Sequence, residues 1–443
     1  MIWFLLVLII FLGIISLILN KGDFFSPSCI ICLSYLFSTF CAILNIKKWG
    51  VSLHYNTLFV IVIGLATFIA IECISKKITV LPKNKISVQK NFFLDNSDVL
   101  FIPQTLILLI SFISFLILIM LYQEISRLGG APSISESIGN FRNATVLSSN
   151  EELQLTFSVT QLLKFSAAFG YVLLYFYINN SVIDKKNFKK ISYLIPITIH
   201  VLQSLLTGGR LPLIRVIVSI VLMYYILHNL KNGWRISTGF TFLRRTIVTV
   251  LLFFIVFYFL KDFLGRSSQE SFIDYITRYV GGSIEALDIF LNTSSARANN
   301  LFGQETFSGV YAMFSRFSSD NIDIVKSLPW VVSRTGYTIG NVYTAFRRYY
   351  SDFGYLGVIF CTGFISFVYS KVYSIIKMNL ANNYKKFSVV IFLYTSFVYP
   401  LVTHAMEDIF YITLITIGTM IQFVLFIGVY IIMIKISEKY FIA

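Results

Sequence analysis

Leu100-Phe-Ile-Pro-Gln-Thr-Leu-Ile-Leu-Leu-Ile-Ser-Phe-Ile-Ser-Phe-Leu-Ile-Leu-Ile-Met-Leu-Tyr122 runs without a single Asp, Glu, Lys, Arg or His. A helix needs about 20 such residues to cross the hydrocarbon core of a bilayer. Lipid offers no partner for an open backbone amide, so an isolated apolar run of this length crosses only as a helix. Comparable runs recur near residues 2–19, 26–46, 57–75, 155–178, 191–207, 211–230, 245–261, 352–374, 387–402 and 409–434. The sequence therefore predicts an all-α polytopic integral membrane protein of about eleven helices, a single transmembrane domain over 1–443 with one large extracytoplasmic loop at 262–350. The short alternating strands of a barrel are not found in it.

Composition agrees. Of 443 residues 56% are hydrophobic and 13% charged, outside the usage of soluble domains. The net charge of +15 needs no nucleic acid, because basic cytoplasmic loops facing anionic lipid account for most of it. Those loops are Lys76, Lys77, Lys83, Lys85 and Lys90; Lys185, Lys186, Lys189 and Lys190; Lys231, Arg235, Arg244 and Arg245; and Lys371, Lys377, Lys385 and Lys386. They alternate with loops poorer in positive charge, which puts the N-terminus outside and the C-terminus, with Lys435 and Lys439, inside. Lys47 and Lys48 break the pattern by falling on the outer side. The first span has no basic n-region and no small-residue cleavage site before Lys21, and is read as retained. Cys29, Cys32, Cys41, Cys73 and Cys361 all lie in or beside apolar spans, where they read as small packing residues. No metal site or cofactor is expected.

The outer side holds three notable segments: Tyr122 to Thr156, the turn Thr207-Gly-Gly-Arg210, and a long stretch from Lys261 to Tyr350. Long loops in compact proteins are usually functional. Arginines concentrate on this side (Arg127, Arg142, Arg210, Arg215, Arg266, Arg278, Arg297, Arg316, Arg334, Arg347 and Arg348), whereas the inner loops carry mostly lysine. The guanidinium is a rigid fork suited to phosphate, the ammonium a mobile point charge. An anionic, phosphate-bearing ligand is one reading; lipid headgroups, or local acids such as Asp274, Glu285 and Asp288, are the other.

Arg210 and Arg215 are distinguished by position. His200, Gln203, Ser204 and Thr207 form a polar stripe at helical spacing that should face the bundle interior. Gly208 and Gly209 then permit a tight turn, and Pro212 suits the first turn of the next helix. Arg210 is placed at a helix N-terminus, where free amides and the dipole favour an anion, and Arg215 about 7.5 Å deeper. In Asn341-Val-Tyr-Thr-Ala-Phe-Arg-Arg-Tyr-Tyr-Ser-Asp-Phe-Gly-Tyr-Leu-Gly357, a helix would line up Tyr343, Arg347 and Tyr350 and pair Arg348 with Asp352. Either an interfacial anchor or a sugar-phosphate site fits. In His404-Ala-Met-Glu407-Asp408 the first or the fourth residue suits a general base, with Asp408 more suited to a cap.

Taken in order, Thr207-Gly-Gly-Arg210, Tyr279-Val-Gly-Gly-Ser-Ile-Glu285, Gly303-Gln-Glu-Thr-Phe307, Asn341-Val-Tyr-Thr344, Tyr350-Ser-Asp-Phe-Gly354 and Gly357 resemble the bacterial oligosaccharide repeat-unit polymerases, which include the O-antigen and capsular polysaccharide polymerases. The resemblance covers roughly residues 200–360. It implies a fold similar to the lipid-dependent, GT-C-like glycosyltransferases. It also implies a membrane enzyme that transfers a glycan from undecaprenyl pyrophosphate to a new lipid-linked repeat unit on the outer face of the bacterial cytoplasmic membrane. Lipid-linked oligosaccharide and membrane lipid are the implied ligands, with a chain-length regulator and a flippase as protein partners and no metal. On that basis Arg210 is assigned to the pyrophosphate, with Arg215, Arg278 and Arg347 as helpers. Asp352, Glu407 and His404 are the candidate bases, and Asn341, Tyr343 and Glu285 the substrate-binding residues. A lipid-linked oligosaccharide flippase or other transporter, and an O-antigen ligase, remain rival expectations.

Overall fold

The computed structural model describes residues 1–79, 94, 98–147, 154–184, 190–232, 234, 236–263, 270–293, 301–315, 324–325, 327–378 and 384–442. Of the basic residues named above, Lys83, Lys85, Lys90, Lys185, Lys186, Lys189, Arg235, Arg266, Arg297 and Arg316 lie outside them, as do the side chains of Lys385 and Lys386.

The chain is almost wholly helical. In order come α1 (Ile2–Leu19), α2 (Pro27–Leu44), the single turn α3 (Ile46–Trp49), α4 (Tyr55–Thr79), α5 (Gln104–Gly129), α6 (Ile134–Arg142), α7 (Phe157–Ile183), α8 (Ile195–Leu206), α9 (Leu211–Asn232), α10 (Ile236–Phe263) and α11 (Phe272–Thr293). They are followed by α12 (Ser308–Phe314), a hairpin of β1 (Val331–Val332) and β2 (Thr338–Gly340), α13 (Phe346–Met378), α14 (Tyr384–Phe397), α15 (Tyr399–Thr403) and α16 (Ile417–Ile442). Nine of the described helices are long and apolar enough to cross a membrane, and two shorter apolar stretches, Ile191–Leu206 and Phe387–Thr403, fall where two further spans are expected. The fold is thus a polytopic all-α bundle, with exposed apolar side chains such as Trp3, Phe112, Phe259 and Phe360 on its flanks.

Polar contacts sort the connections into two opposite ends. At one end Asp23 meets Lys377 at 2.7 Å and accepts from the hydroxyls of Tyr225 and Tyr373, Lys76 donates to Asn20, and the Phe101 amide donates to Ser437. At the other end Lys48 pairs with Asp274 at 2.8 Å and lies 4.8 Å from the Tyr337 ring. One of the two lysines that broke the charge pattern, Lys48, is therefore paired with an acid of the large segment of residues 262–350.

That segment is more structured than a loop. Helix α11 is amphipathic, and both its ends bond to the same end of the bundle: Asp274 to Lys48, and Asp288 to the His54 amide and the Thr57 hydroxyl. It therefore lies across the ends of α2 and α4. Gly281 permits the approach, since a Cβ there would stand 2.5 Å from the Ala42 nitrogen.

Three boundaries move. The helix expected from Asn341 begins at Phe346, because Ala345 donates its amide to the His404 carbonyl and Gly340 ends a strand. It then breaks at Gly354, whose φ of 62° and ψ of −148° are outside the helical region. The last span begins at Ile417, after a π turn over Phe410–Leu414, where Tyr411 is tied back to Asp408.

Candidate functional site

The turn before α9 is built as its glycines require. Gly208 takes a left-handed φ of 70°, its amide donates to Leu205, and the Gly209 amide donates to Ser204, closing α8 with a Schellman pair. Arg210 follows as the residue from which α9 starts, its carbonyl accepting from Leu213 and Ile214. The expected stripe does face inward: Gln203 is buried and donates to the Ser114 carbonyl of α5, and the His200 ring packs on Tyr171 of α7.

Arg210 is 4% exposed, and none of its three guanidinium nitrogens has a hydrogen-bond partner among the described residues. Aromatic rings surround it instead, with centroids at 4.4 Å (Phe257), 5.4 Å (Tyr275) and 5.6 Å (Tyr279). Ring faces offset part of the desolvation of a cation, roughly 0.5–2 kcal/mol each. They leave its N–H groups without an acceptor among the described residues.

The assigned helpers are placed differently. Arg215 points about 140° round the helix from Arg210 by the 3.6-residue repeat. It donates to the Ser396 carbonyl at 2.8 Å and to Gln422 at 3.2 Å, among Tyr171, Phe397, Tyr399 and Phe426. Arg278 is paired with Glu270 at 2.8 Å, and Arg347 with buried Glu305. Both charges are already met by carboxylates of the chain, whereas no carboxylate among the described residues pairs with Arg210.

Asp352 does not pair with Arg348 in the expected way. Its carboxylate accepts from the amides of Glu305 (3.2 Å) and Thr306 (2.6 Å), while Arg348 donates to the Glu305 carbonyl at 2.8 Å. Both residues thus grip the segment 303–307 from α13, and Asp352 is occupied as its anchor.

The turn 404–408 is pinned from three sides. His404 Nδ1 lies 3.0 Å from the Tyr35 hydroxyl of α2, Ser283 of α11 donates to the Ala405 carbonyl, and the Ala345 amide ahead of α13 donates to His404. Met406 is partly buried against the cluster of Cys41, Phe257, Tyr275, Ile276 and Val280, two of which also contribute rings around Arg210. Burial pulls the His404 imidazole down to about 3, which makes it a weak base. Glu407 has an exposed side chain, and its pKa is raised by burial against the pull of Arg348.

Asp408, which the sequence marks only as a cap, does cap, accepting from the Tyr411 amide at 3.1 Å. Its Oδ2 is buried without a hydrogen-bond partner among the described residues, and burial pushes its carboxyl up to about 7 against the opposing Tyr411 amide, Arg348 and the nearby Tyr349 hydroxyl. A carboxylate of that pKa is matched to proton abstraction near neutrality. The only sequence signal for it was an acid one turn from His404.

The three substrate candidates are dispersed. Tyr343 is buried, donates to the Pro329 carbonyl and lies 4.8 Å from the Arg347 guanidinium. Asn341 is partly buried beyond β2. Glu285 is fully buried on α11 with both oxygens unpartnered among the described residues, and burial, then Asp288, raises it to about 7. Among the described residues no group of three His, Cys, Asp or Glu is gathered closely enough to hold a metal.

Comparison with known proteins finds no match for this chain among family models, curated proteins or solved structures.

Proposed function

We propose that this chain is a membrane glycosyltransferase that lengthens a glycan by joining lipid-linked oligosaccharide repeat units, with eleven membrane crossings and its site on the extracytoplasmic face of a bacterial cytoplasmic membrane. The observation that carries the reading is Arg210, a buried guanidinium with no acid and no hydrogen-bond partner among the described residues, set where α9 begins. A fixed cation at a helix N-terminus suits the diphosphate of an undecaprenyl carrier.

The chemistry then balances in one displacement. A hydroxyl of the acceptor glycan attacks the anomeric carbon of the donor, and the carbon–oxygen bond to diphosphate breaks. The leaving diphosphate takes the electron pair and is stabilised by Arg210. The hydroxyl proton passes to a carboxylate of the 404–408 turn, Asp408 first and Glu407 second. Arg348, whose charge acts on both acids, keeps the chosen one ionised. Phe257 of α10 lies over Arg210, and α10 is the least buried of the candidate spans, 6% of its window being enclosed. The carrier's diphosphate therefore approaches beside α10 while its polyprenyl tail stays in the bilayer.

Reconstitution into proteoliposomes with undecaprenyl-diphosphate repeat units tests this directly. Lengthening of the lipid-linked chain, lost in Arg210→Gln, is the expected result. Translocation without lengthening would make the protein a flippase, and transfer only to a lipid A core would make it a ligase.

A further inference from the structure

On the same end of the bundle, beyond the far end of α11, lies a pocket of about 390 Å³ lined by His54, Ile289, Asn292, Thr293, Val332 and Arg334. Its volume is in the range of small-ligand sites. The pocket is organised from beneath by Asp288, which is fully buried and accepts from the His54 amide (2.8 Å), the Thr57 hydroxyl (2.6 Å) and Arg334 (3.0 Å), with His54 Nδ1 at 2.9 Å. Asn292 donates to the Asp288 carbonyl at 2.7 Å. Each polar group at the pocket is thereby held in one orientation, and what each has left is defined. With Nδ1 turned toward Asp288, His54 presents Nε2 to a ligand. Asn292 offers its amide oxygen as an acceptor, and Arg334, half-exposed, offers its remaining N–H groups as donors. Ile289 and Val332 supply an apolar wall.

One further residue belongs with these. Trp330 is 59% exposed and stands immediately before β1, two positions ahead of the pocket-lining Val332. A large indole left open beside a pocket that mixes donors, acceptors and apolar walls matches a sugar ring, whose hydroxyls both donate and accept and whose C–H faces stack on aromatics. An anion is a poorer fit. The charge of Arg334 is already met by Asp288, whereas that of Arg210 meets no carboxylate among the described residues.

We infer that this pocket is a saccharide-binding subsite that holds distal sugars of the lipid-linked glycan, with Trp330 as its stacking platform. The inference rests on the function proposed above, and α11 gives the two sites one scaffold. Tyr279, beside Arg210, and Asn292, in the pocket, are thirteen residues apart on that helix, about 20 Å along its axis. A glycan whose diphosphate sits at Arg210 would lie along α11 and reach the pocket several sugars on.

The test uses the full chain in nanodiscs, titrated with maltotriose, chitotriose, cellotriose and mannotriose and followed by tryptophan fluorescence and saturation-transfer NMR. Inorganic pyrophosphate serves as the anion control. At least one trisaccharide should saturate the protein, with affinity falling at least tenfold in Trp330→Ala and in Asn292→Ala but not in Arg210→Gln. Pyrophosphate should not compete. The pocket assignment is overturned if no trisaccharide saturates, if both pocket variants bind as wild type does, or if pyrophosphate displaces the sugar. Chain lengthening with unchanged product length in both pocket variants would also overturn it while leaving the proposed function standing. Saccharide binding lost in those variants by a protein that never lengthens a chain would do the reverse.

Discussion

Replacing Arg210 with Met should leave the protein as stable as before or more so, although it removes a buried side chain with three ring contacts. A buried ion costs several kcal/mol to desolvate. Here no carboxylate among the described residues offsets that cost, and rings at 4.4, 5.4 and 5.6 Å return roughly 1.5–6 kcal/mol in all. Met keeps much of the volume and adds sulfur–aromatic contact of ~0.3–1.5 kcal/mol. The net expectation is a gain of about 1 kcal/mol. Arg347→Met is the control, because it strands the fully buried Glu305 carboxylate and should lose about 3–5 kcal/mol. Thermal unfolding of both variants in one detergent reads the contrast. Inorganic pyrophosphate at a hundredfold its Kd should raise wild-type stability by about 2.7 kcal/mol and leave Arg210→Met unmoved. If Arg210→Met fell as far as Arg347→Met, the guanidinium would be a structural tie, and the reasoning that reserves it for a ligand would be wrong.

Three other outcomes are expected. The Glu285 carboxyl, raised from 4.5 to about 7, holds its proton more tightly in the folded state. Stability from it is greatest below about pH 4.5 and declines by ~3 kcal/mol as pH rises to about 7, so Glu285→Gln should flatten the thermal midpoint across that window. With Asp408 raised to about 7, the rate of chain lengthening should climb about tenfold per pH unit below that value and level above it, and Asp408→Asn should abolish the step; an unaltered profile in the variant would exclude this residue as base. Gly281→Ala would put a Cβ within 2.7 Å of backbone atoms of both Cys41 and Ala42, at a cost of about 1–3 kcal/mol in unfolding.

The membrane bundle was legible because its signal is one of length and apolar content, which no tertiary contact overrides. All eleven expected runs fall on helices or on their immediate ends. The turn at Arg210 was legible for a local reason, since two glycines and a proline specify the Schellman closure and the start of α9 almost alone. Pairing across the sequence was not. Nothing local reveals that Glu305 takes the charge of Arg347, that Glu270 takes that of Arg278, or that Asp352 holds two amides 46 and 47 positions away. Arginine count therefore overstated the ligand-directed charge, and only the structure separates Arg210 from the others. Lys48 is the converse case: an apparent exception to charge asymmetry is answered by Asp274, far along the chain. The raised carboxyl of Asp408 was not legible, because it comes from burial, which is not a property of sequence.

Native mass spectrometry of the purified chain with undecaprenyl diphosphate is the most direct measurement of the central claim. Wild type should retain one diphosphate lipid through activation energies at which Arg210→Gln has lost it, while both retain undecaprenol alike. Equal retention of the diphosphate by the two proteins would contradict the assignment of Arg210 to that group.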